Sequence, residues 1–309
     1  MPVIEELARD GAELAAWRQD LHAHPETGFA EHRTAAVVAE KLKSFGLETH
    51  TGIGQTGVVA RLSVGSGNRA IALRADMDAL PIEEKNAFAH RSQSSGTMHA
   101  CGHDGHTAML LGAARHLART RCFDGTVYFI FQPAEEGDGG AAAMIEAGLF
   151  ERFPVESVYG LHNWPGLAAG AFGVRAGPVM AASDKFEITV RGRGGHAAMP
   201  HQAIDPVVAA AQIVTALQTI ASRRVMPTEA AVVSVTQIAA GEAWNVIPEQ
   251  AVLRGTVRVL SPAVRDAVEP EITRIAEGIA AALGASANVR YERGFAPTVN
   301  AQAESDAAA

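Results

Sequence analysis

The sequence predicts a two-domain protein in which an α/β domain is combined with a second, α+β domain. Three observations lead to this class. A chain of 309 residues is longer than one hydrophobic core usually serves. Between residues 5 and 162, helical and strand-like spacings of apolar side chains alternate. After about residue 183 the strands change to a two-residue alternation of apolar and polar side chains, which is typical of a sheet with one exposed face.

The first half carries helices and strands in turn. Helices are predicted over residues 5–22, 31–45, 106–119 and 141–147. Strands are predicted over residues 58–64, 70–74, 127–131 and 157–161, with a glycine-rich turn at 65–68 between the first two. Because strands alternate with helices, we expect a mixed, largely parallel sheet flanked by helices.

The second half predicts a different order of elements. A strand near 186–190 is followed by a helix that begins at Asp205 and Pro206, a polar cap and a favoured first helical residue. Further strands (231–238, 252–260, 288–293) and a helix (264–283) complete the order β-α-β-β-α-β, that of the ferredoxin-like sandwich. We place the first domain at residues 1–181 and the second, inserted into the first or following it, at 182–296.

Composition excludes several classes of function. Hydrophobic residues make up 48% and charged residues 19%, a balance typical of globular proteins, and the net charge of -8 argues against nucleic acid or an anionic membrane as partner. No apolar stretch approaches the ~20 residues that span a bilayer. The first residues lack the basic and then apolar pattern of a secretory signal, and two cysteines are too few for a disulfide framework. We therefore expect a cytoplasmic protein that acts on a small molecule.

Three short segments concentrate the side chains that bind metals or transfer protons. They are HACGHDGH at residues 99–106, QPAEEG at 132–137 and LHN at 161–163. The first lies just before a predicted helix, and the other two directly follow predicted strands. Because sites in open α/β sheets gather at the carboxyl ends of the strands, we expect the segments to converge. A helix N-terminus also favours the thiolate form of Cys101, which is the form that binds metal.

Ordinary interpretations stay open for the members of this set taken singly. Glu135 and Glu136 are compatible with a solvated turn, and His162 with a hydrogen-bonded core histidine. Asp76 and Asp78, at the end of a strand, are compatible with turn chemistry. His106 is more typical of a first-turn helix residue than of a ligand. The convergence of three segments is the argument for a site.

At this point the sequence resembles a known family. In the first half the matching motifs cover residues 73–81, 98–104, 131–137 and 160–163, and in the second half 194–201, 205–206, 245–248 and 255–258. The chain is similar to the aminoacylase/carboxypeptidase family of dinuclear metallohydrolases. More narrowly, it resembles the amidohydrolase branch of hippurate hydrolases, N-acyl-amino-acid amidohydrolases and plant auxin-conjugate hydrolases. The resemblance implies that the second domain is a lid or dimerisation domain.

The resemblance implies a role for each matching residue. Two divalent ions, zinc or manganese with cobalt or nickel as alternatives, would be bound by Cys101, His103, Glu136 and His162. Glu135 would be the general base, and Asp78 would orient a ligand. In a homodimer, His196 would reach the active site of the partner subunit and help to stabilise the oxyanion. Asn245 and Arg258 would contact the substrate.

The implied reaction is metal-dependent hydrolysis of the amide bond of an N-acyl amino acid, which releases a carboxylic acid and a free amino acid. The family supplies one more histidine ligand after the chain returns to the first domain, near residue 297, but no histidine follows His201. We therefore expect weak binding of the second ion and little activity. Two alternatives stay open: a cysteine hydrolase that uses Cys101, and a metal-binding or dimerisation module without catalysis. The acyl group also stays open.

Overall fold

The computed structural model describes residues 4–309, which divide into a first unit ending at Phe172 and a second unit from Gly173 to Ala309. The segments 177–180 and 298–300 pair with each other inside the second unit. The domain limits at 181 and 296 stay predictions. None of the helices in the described part of the chain is long and apolar enough to cross a membrane.

The first unit contains helices and strands in the predicted regions, although the helix predicted over residues 5–22 is divided into two and three strands follow one another before α4. Its helices are α1 Glu5–Arg9, α2 Gly11–Ala23, α3 His32–Ser44, α4 His103–Thr120, α5 Gly140–Glu146 and α6 Leu149–Arg152. Its strands are β1 Glu48–Ile53, β2 Gly57–Val64, β3 Ala70–Asp76, β4 Gly125–Gln132 and β5 Ser157–Gly160. Helix α4 therefore begins three residues before the predicted start.

These strands form one sheet in the order β1-β2-β4-β3-β5. The pairs β1–β2 and β2–β4 are antiparallel, and β3–β4 and β3–β5 are parallel, so the predicted mixed α/β class is confirmed with half of the pairings parallel. The turn at 65–68 leads from β2 to β3, but β4 lies between these two strands. Strand β1 was not predicted because its side chains, largely polar and exposed, lack an apolar alternation.

Strand β4 is the centre of the first unit. Phe129 and Phe131 are fully buried on the face covered by α3 and α4, whereas Tyr128 and Ile130 point to the face that holds Met144. Both faces are covered, which explains the nearly continuous apolar run of this strand. Truncating either phenylalanine to alanine would cost about 3–5 kcal/mol. The sheet is thus a rigid base for the loops at its edge.

The second unit contains the predicted β-α-β-β-α-β order. Its helices are α7 Pro206–Thr219, α8 Pro262–Ala282 and α9 Gln302–Ala308, with a 3₁₀ turn at Pro200–Gln202 and a π-helical turn at Ile220–Arg224. Its strands are β6 Gly177–Met180, β7 Asp184–Arg191, β8 Gly195–His196, β9 Ala231–Ala240, β10 Val246–Ile247, β11 Gln250–Val259, β12 Ser286–Glu292 and β13 Thr298–Asn300.

Four of these strands form an antiparallel sheet in the order β12-β7-β11-β9, and α7 and α8 pack on it to make one core. As predicted, α7 begins at Pro206, and the Asp205 carboxylate accepts a hydrogen bond from the Val207 N–H at 2.8 Å. The remaining strands form two small pairs, β8–β10 and β6–β13, which the sequence did not predict. The four-stranded antiparallel sheet with its two helices confirms the ferredoxin-like class.

Candidate metal centre

The three motif segments lie at one edge of the first unit's sheet. Strands β3, β4 and β5 are parallel and end at Asp76, Gln132 and Gly160, so the loops that follow them leave from the same side. Helix α4 begins at this edge after Gly102, whose φ of +89° suits glycine. A Cβ at Gly102 would also collide with the Asn163 side chain. The fold therefore brings the three segments together.

Three side chains that can bind a metal ion lie close together: those of Cys101, His103 and Glu136. One ligand atom from each lies within 4.8 Å of the others. His103 Nε2 and Glu136 Oε1 are 3.9 Å apart, and both are buried without a hydrogen-bond partner in the described chain. Unpaired buried polar atoms are rare and call for an explanation, such as an absent ion. We name these three residues, together with the predicted ligand His162, the metal cluster.

Asp78 fixes the orientation of His103. The ring Nδ1–H donates to the Asp78 carbonyl oxygen at 2.8 Å and to its carboxylate at 3.1 Å, which leaves the lone pair of Nε2 free. The second carboxylate oxygen of Asp78 accepts the Glu136 N–H at 2.9 Å. Burial alone would raise the pKa of Asp78, but these hydrogen bonds hold it below its usual value. Asp78 is thus an ionised acceptor that orients both neighbours.

Cys101 faces His162. The Cys101 Sγ lies 3.4 Å from His162 Nε2, and the His162 Nδ1–H donates to the Asn163 carbonyl at 2.6 Å. The neighbouring imidazoles of His103 and His162 lower the pKa of Cys101 and therefore favour its thiolate. The same contact with Cys101 raises the pKa of His162. The pair presents sulfur and nitrogen ligands to the same space.

Asp76 and His106 also belong to the site, although sequence reasoning assigned them ordinary roles. A second group with ligand atoms within 4.8 Å of one another contains Asp76, His103, His106 and His162. The His106 Nδ1–H donates to Asp76 at 2.6 Å, and its Nε2 accepts the Asn163 N–H at 2.9 Å. Both ring nitrogens are used, so His106 links the ends of two strands rather than offering a free ligand atom. The signal in the sequence was the spacing of His103 and His106 by three helical residues.

Asp76 is a fully buried carboxylate with a strong hydrogen-bonding environment. Arg74 Nη1 donates to it at 2.7 Å, opposite the His106 contact. Burial alone would raise the pKa of Asp76, but the His106 hydrogen bond and the Arg74 charge hold it well below its usual range. A fixed negative charge therefore stands beside the metal cluster.

Glu135 has the environment of a general base. Its side chain is half-buried, and the pKa is raised chiefly by burial and then by the negative charge of Asp76. A carboxyl group whose pKa moves up towards the working pH transfers protons in both directions more efficiently. Glu135 stands directly beside the candidate ligand Glu136 in the chain.

The residues present fit a divalent cation. Burial alone would lower the pKa of His103, but its hydrogen bond to Asp78, the nearby Cys101 thiol and the charge of Asp76 raise it to about 11. A site that favours a positive charge this strongly also attracts a metal ion in place of the proton. Thiolate, imidazole and carboxylate ligands together suit a borderline ion such as zinc, and Asp78 supplies the orienting contact.

The predicted site residues of the second unit lie on two parts of that unit. Strands β8 and β10 pair His196 with Val246, and the Ala197 N–H donates to the Asn245 carbonyl at 3.0 Å, so His196 and Asn245 are near neighbours. His196 is exposed, and its Nδ1 accepts the Ala198 N–H at 3.1 Å, which leaves Nε2–H as a donor.

Arg258 lies on β11, where it lines an open groove with Arg254 and Thr256. Arg254 pairs with Glu187 at 2.6 Å. In the described chain, the hydrogen bonds of Arg258 go to Thr256 and to the Val257 carbonyl, and none goes to a carboxylate. The Arg258 charge is therefore available to an anionic group.

Comparisons with known proteins extend over this centre. Residues 72–307 match the sequence model of peptidase family M20/M25/M40. An N-acyl-L-amino acid amidohydrolase of Geobacillus stearothermophilus is 47% identical over 300 residues, 96% of this chain and 80% of that protein. A hippurate hydrolase of Campylobacter jejuni is 47% identical over 282 residues, 91% of this chain and 73% of that protein. The solved structure of a dinuclear metal binding peptidase from Bacillus subtilis superposes with a TM-score of 0.84 at 40% identity, over 97% of this chain and 79% of that chain.

Proposed function

The chain belongs to peptidase family M20/M25/M40, and from this premise we propose that it is a dinuclear metal-dependent amidohydrolase that removes the acyl group from N-acyl amino acids. The observation that carries the proposal is the metal cluster, in which His103 Nε2 and Glu136 Oε1 are buried, unpaired in the described chain and 3.9 Å apart. The relatives at 47% identity, an N-acyl-L-amino acid amidohydrolase and a hippurate hydrolase, support the substrate class.

The four residues of the metal cluster are the proposed ligands. These residues would hold two divalent ions, which would polarise the amide carbonyl and lower the pKa of a water molecule towards neutrality. We propose zinc or manganese, with cobalt or nickel as alternatives, because a thiolate beside imidazole and carboxylate groups accepts borderline ions. Asp78 holds the His103 ring in the tautomer that can bind an ion.

Glu135 is the proposed general base. It takes a proton from the attacking water as the new C–O bond forms at the amide carbon. It then gives this proton to the nitrogen as the C–N bond breaks, so the products are a carboxylic acid and a free amino acid. The raised pKa of Glu135 supports this double role, because a more basic carboxylate takes the proton more readily.

The proposed role of the second unit is to bind the substrate and to pair with another copy of the chain. We propose that His196 donates from Nε2 to the oxyanion of a substrate held by the partner subunit, and that Asn245 and Arg258 bind its carbonyl or carboxylate. Strand β9 is the edge of its sheet, where Val232 and Ile238 are 52% and 61% exposed. An edge of this kind favours pairing with a second strand, which supports a homodimer.

One observation favours a second function. The 3.4 Å contact between Cys101 Sγ and His162 Nε2 is also the arrangement of a cysteine hydrolase, in which the histidine activates the thiol. The two functions differ in their need for metal. In the amidohydrolase Cys101 is a ligand, whereas in the cysteine hydrolase it attacks the substrate.

A chelation experiment tests the proposal. The protein is offered N-acetyl and N-benzoyl amino acids, and the free amino acid is measured before chelation, after it, and after zinc or manganese is added back. We expect the chelator to abolish release and the metal to restore it. Release that survives complete removal of metal but is lost on alkylation of Cys101 would support the cysteine hydrolase instead.

A further inference from the structure

The main chain on both sides of Glu135 is held in an unusual way. Ala134 has a φ of +49°, a left-handed conformation that side chains other than glycine rarely adopt, and it is fully buried. Such a conformation persists only where the surrounding structure enforces it. Ala134 directly precedes the proposed base Glu135. The contacts that hold the main chain of Ala134 therefore also fix the position of the Glu135 main chain, from which its side chain extends.

Glu31 is the group that holds this peptide. One of its carboxylate oxygens accepts the Ala134 N–H at 2.7 Å, and the other accepts the Thr56 hydroxyl at 2.6 Å. Glu31 precedes α3, 103 residues away in the chain, and it is 0% exposed. No arginine, lysine or histidine of residues 4–309 forms an ion pair with it. A buried carboxylate without a cation is costly, so its retention here needs a reason beyond stability.

Asp78 makes the corresponding contact on the other side, where its carboxylate accepts the Glu136 N–H at 2.9 Å. Two carboxylates from distant parts of the chain therefore hold the peptide N–H groups immediately before and after Glu135. The Ala134 carbonyl is also fixed, because it accepts the Gly140 N–H at 2.9 Å. A rotation of the main chain at Ala134 would disturb the hydrogen bonds of its N–H and of its carbonyl.

We propose that Glu31 is a positioning residue that, through the Ala134 N–H, fixes the Glu135 carboxylate in place for proton transfer. This proposal rests on the proposed function, in which Glu135 is the general base. In the described chain the hydrogen bonds of the Glu31 carboxylate go to Thr56 and Ala134, and none goes to the metal cluster, so its effect on Glu135 passes through the main chain. A misplacement of a catalytic group by about 1 Å can lower turnover by about 100-fold.

The test compares Glu31→Leu with Glu31→Gln in the chain of 309 residues. The leucine variant removes both acceptor oxygens, whereas glutamine can still accept from the Ala134 N–H and can donate to the Thr56 hydroxyl. We expect Glu31→Leu to lower kcat about 10- to 100-fold with KM and metal content unchanged, and Glu31→Gln to restore most of kcat. If Glu31→Leu does not fold, Glu31→Asp takes its place, because it keeps the charge but draws the carboxylate away from Ala134.

Thr56→Val is the matched control. It removes the other hydrogen bond of Glu31 and leaves the one to Ala134, so kcat should stay near the wild-type value even if the melting temperature falls. A second readout does not depend on activity. Hydrogen exchange of the Ala134 amide should be slow in the wild type, Glu31→Gln and Thr56→Val, and fast in Glu31→Leu.

The outcomes separate this proposal from the proposed function. If Glu135→Gln abolishes turnover while folded Glu31→Leu or Glu31→Asp keeps the wild-type kcat, the positioning role is wrong and the function stands. The positioning role is also wrong if kcat and metal content fall together. If the wild type releases no amino acid, or if Glu135→Gln stays active, the proposed function fails and the positioning of a base fails with it.

Discussion

Each unit buries a cluster of charged side chains, and the two clusters differ in how completely their polar atoms are paired. In the second unit the fully buried Asp184 accepts hydrogen bonds from Arg265 Nε at 2.9 Å, the Tyr291 hydroxyl at 2.8 Å and the Gly294 N–H at 3.0 Å. We name Asp184, Arg265 and Tyr291 the Asp184 cluster. In the metal cluster, two buried atoms have no partner in the described chain.

This difference separates two uses of buried charge. A buried ion pair with all its hydrogen bonds made stabilises one arrangement of the chain, and losing one partner leaves the other charge uncompensated. A buried cluster with free lone pairs gains its missing partners from a bound ion or water molecule. Substitutions in the Asp184 cluster should therefore lower the stability of the second unit, whereas substitutions in the metal cluster should weaken the binding of metal.

The largest effect on stability is expected from Arg265→Ala. Because it leaves the Asp184 carboxylate buried without its cation, the free energy of unfolding should fall by about 3–5 kcal/mol, measured by denaturant unfolding. Arg254→Ala removes an exposed ion pair of the same sheet and should cost only about 0–1 kcal/mol. If the folded Arg265→Ala protein keeps wild-type stability but loses its bound metal, the proposed difference between the two clusters is wrong.

The metal cluster should respond in the opposite way. Glu136→Gln replaces a proposed ligand whose Oε1 has no partner in the described chain, so the stability of the metal-free protein should change far less than in Arg265→Ala. Zinc affinity, measured by competition with a chromophoric chelator, should fall about 100-fold or more, since the loss of an orienting contact alone lowers it 10- to 100-fold. The control is Glu146→Gln, an exposed glutamate of α5. Equal zinc affinity in both variants would count against Glu136 as a ligand.

Local features of the sequence were enough to predict where the site lies. Cys101 and His103 lie at the start of a helix, and Glu135 and His162 follow strands, so the general rule that parallel strands end at one edge brings them together. The β-α-β-β-α-β order of the second unit was equally accessible, because each of its long strands carries its own alternation. These predictions depend on neighbours in the chain and on one rule of topology.

Contacts between distant residues could not be predicted in this way. The Glu31 carboxylate meets the Ala134 N–H across 103 residues, and no periodicity marks either partner. The insertion of β4 between β2 and β3 is likewise a property of the whole sheet. The sequence left Asp76 compatible with turn chemistry and made His106 more typical of a helix start, because each is ordinary alone, and only the fold brings them to 2.6 Å.

A smaller effect is expected from the titration of Asp184. Burial alone would raise its pKa, but the hydrogen bonds from Arg265 and Tyr291 lower the pKa in the folded state below the ordinary 3.8. A group with a depressed pKa stabilises the fold above its unfolded pKa, and this contribution is lost as the pH falls through the folded pKa. The stability advantage of the wild type over Asp184→Asn should therefore be complete at neutral pH and shrink below about pH 4. A constant difference between the two proteins from pH 7 to pH 3 would contradict the paired state of Asp184.

The smallest effect on stability is expected at Glu31, whose pH dependence should be opposite in sign to that of Asp184. Burial raises its pKa above the ordinary 4.5, because the hydrogen bonds from Thr56 and Ala134 offset burial only in part and no cation of the described chain pairs with it. A raised pKa means that the folded state binds the proton more tightly than the unfolded state, so stability is lost as the pH rises through the folded pKa. Glutamine keeps both hydrogen bonds and cannot ionise.

Glu31→Gln should therefore be more stable than the wild type at neutral pH, and this advantage should vanish as the pH falls below about 4.5. Denaturant unfolding of both metal-free proteins across this pH range measures the difference. Asp184→Asn, measured beside it, must show the reverse sign at neutral pH. If Glu31→Gln instead destabilises the protein at neutral pH and not in acid, Glu31 is a compensated charge like Asp184. The cost of keeping it beside Glu135 would then no longer argue for a role in positioning the base.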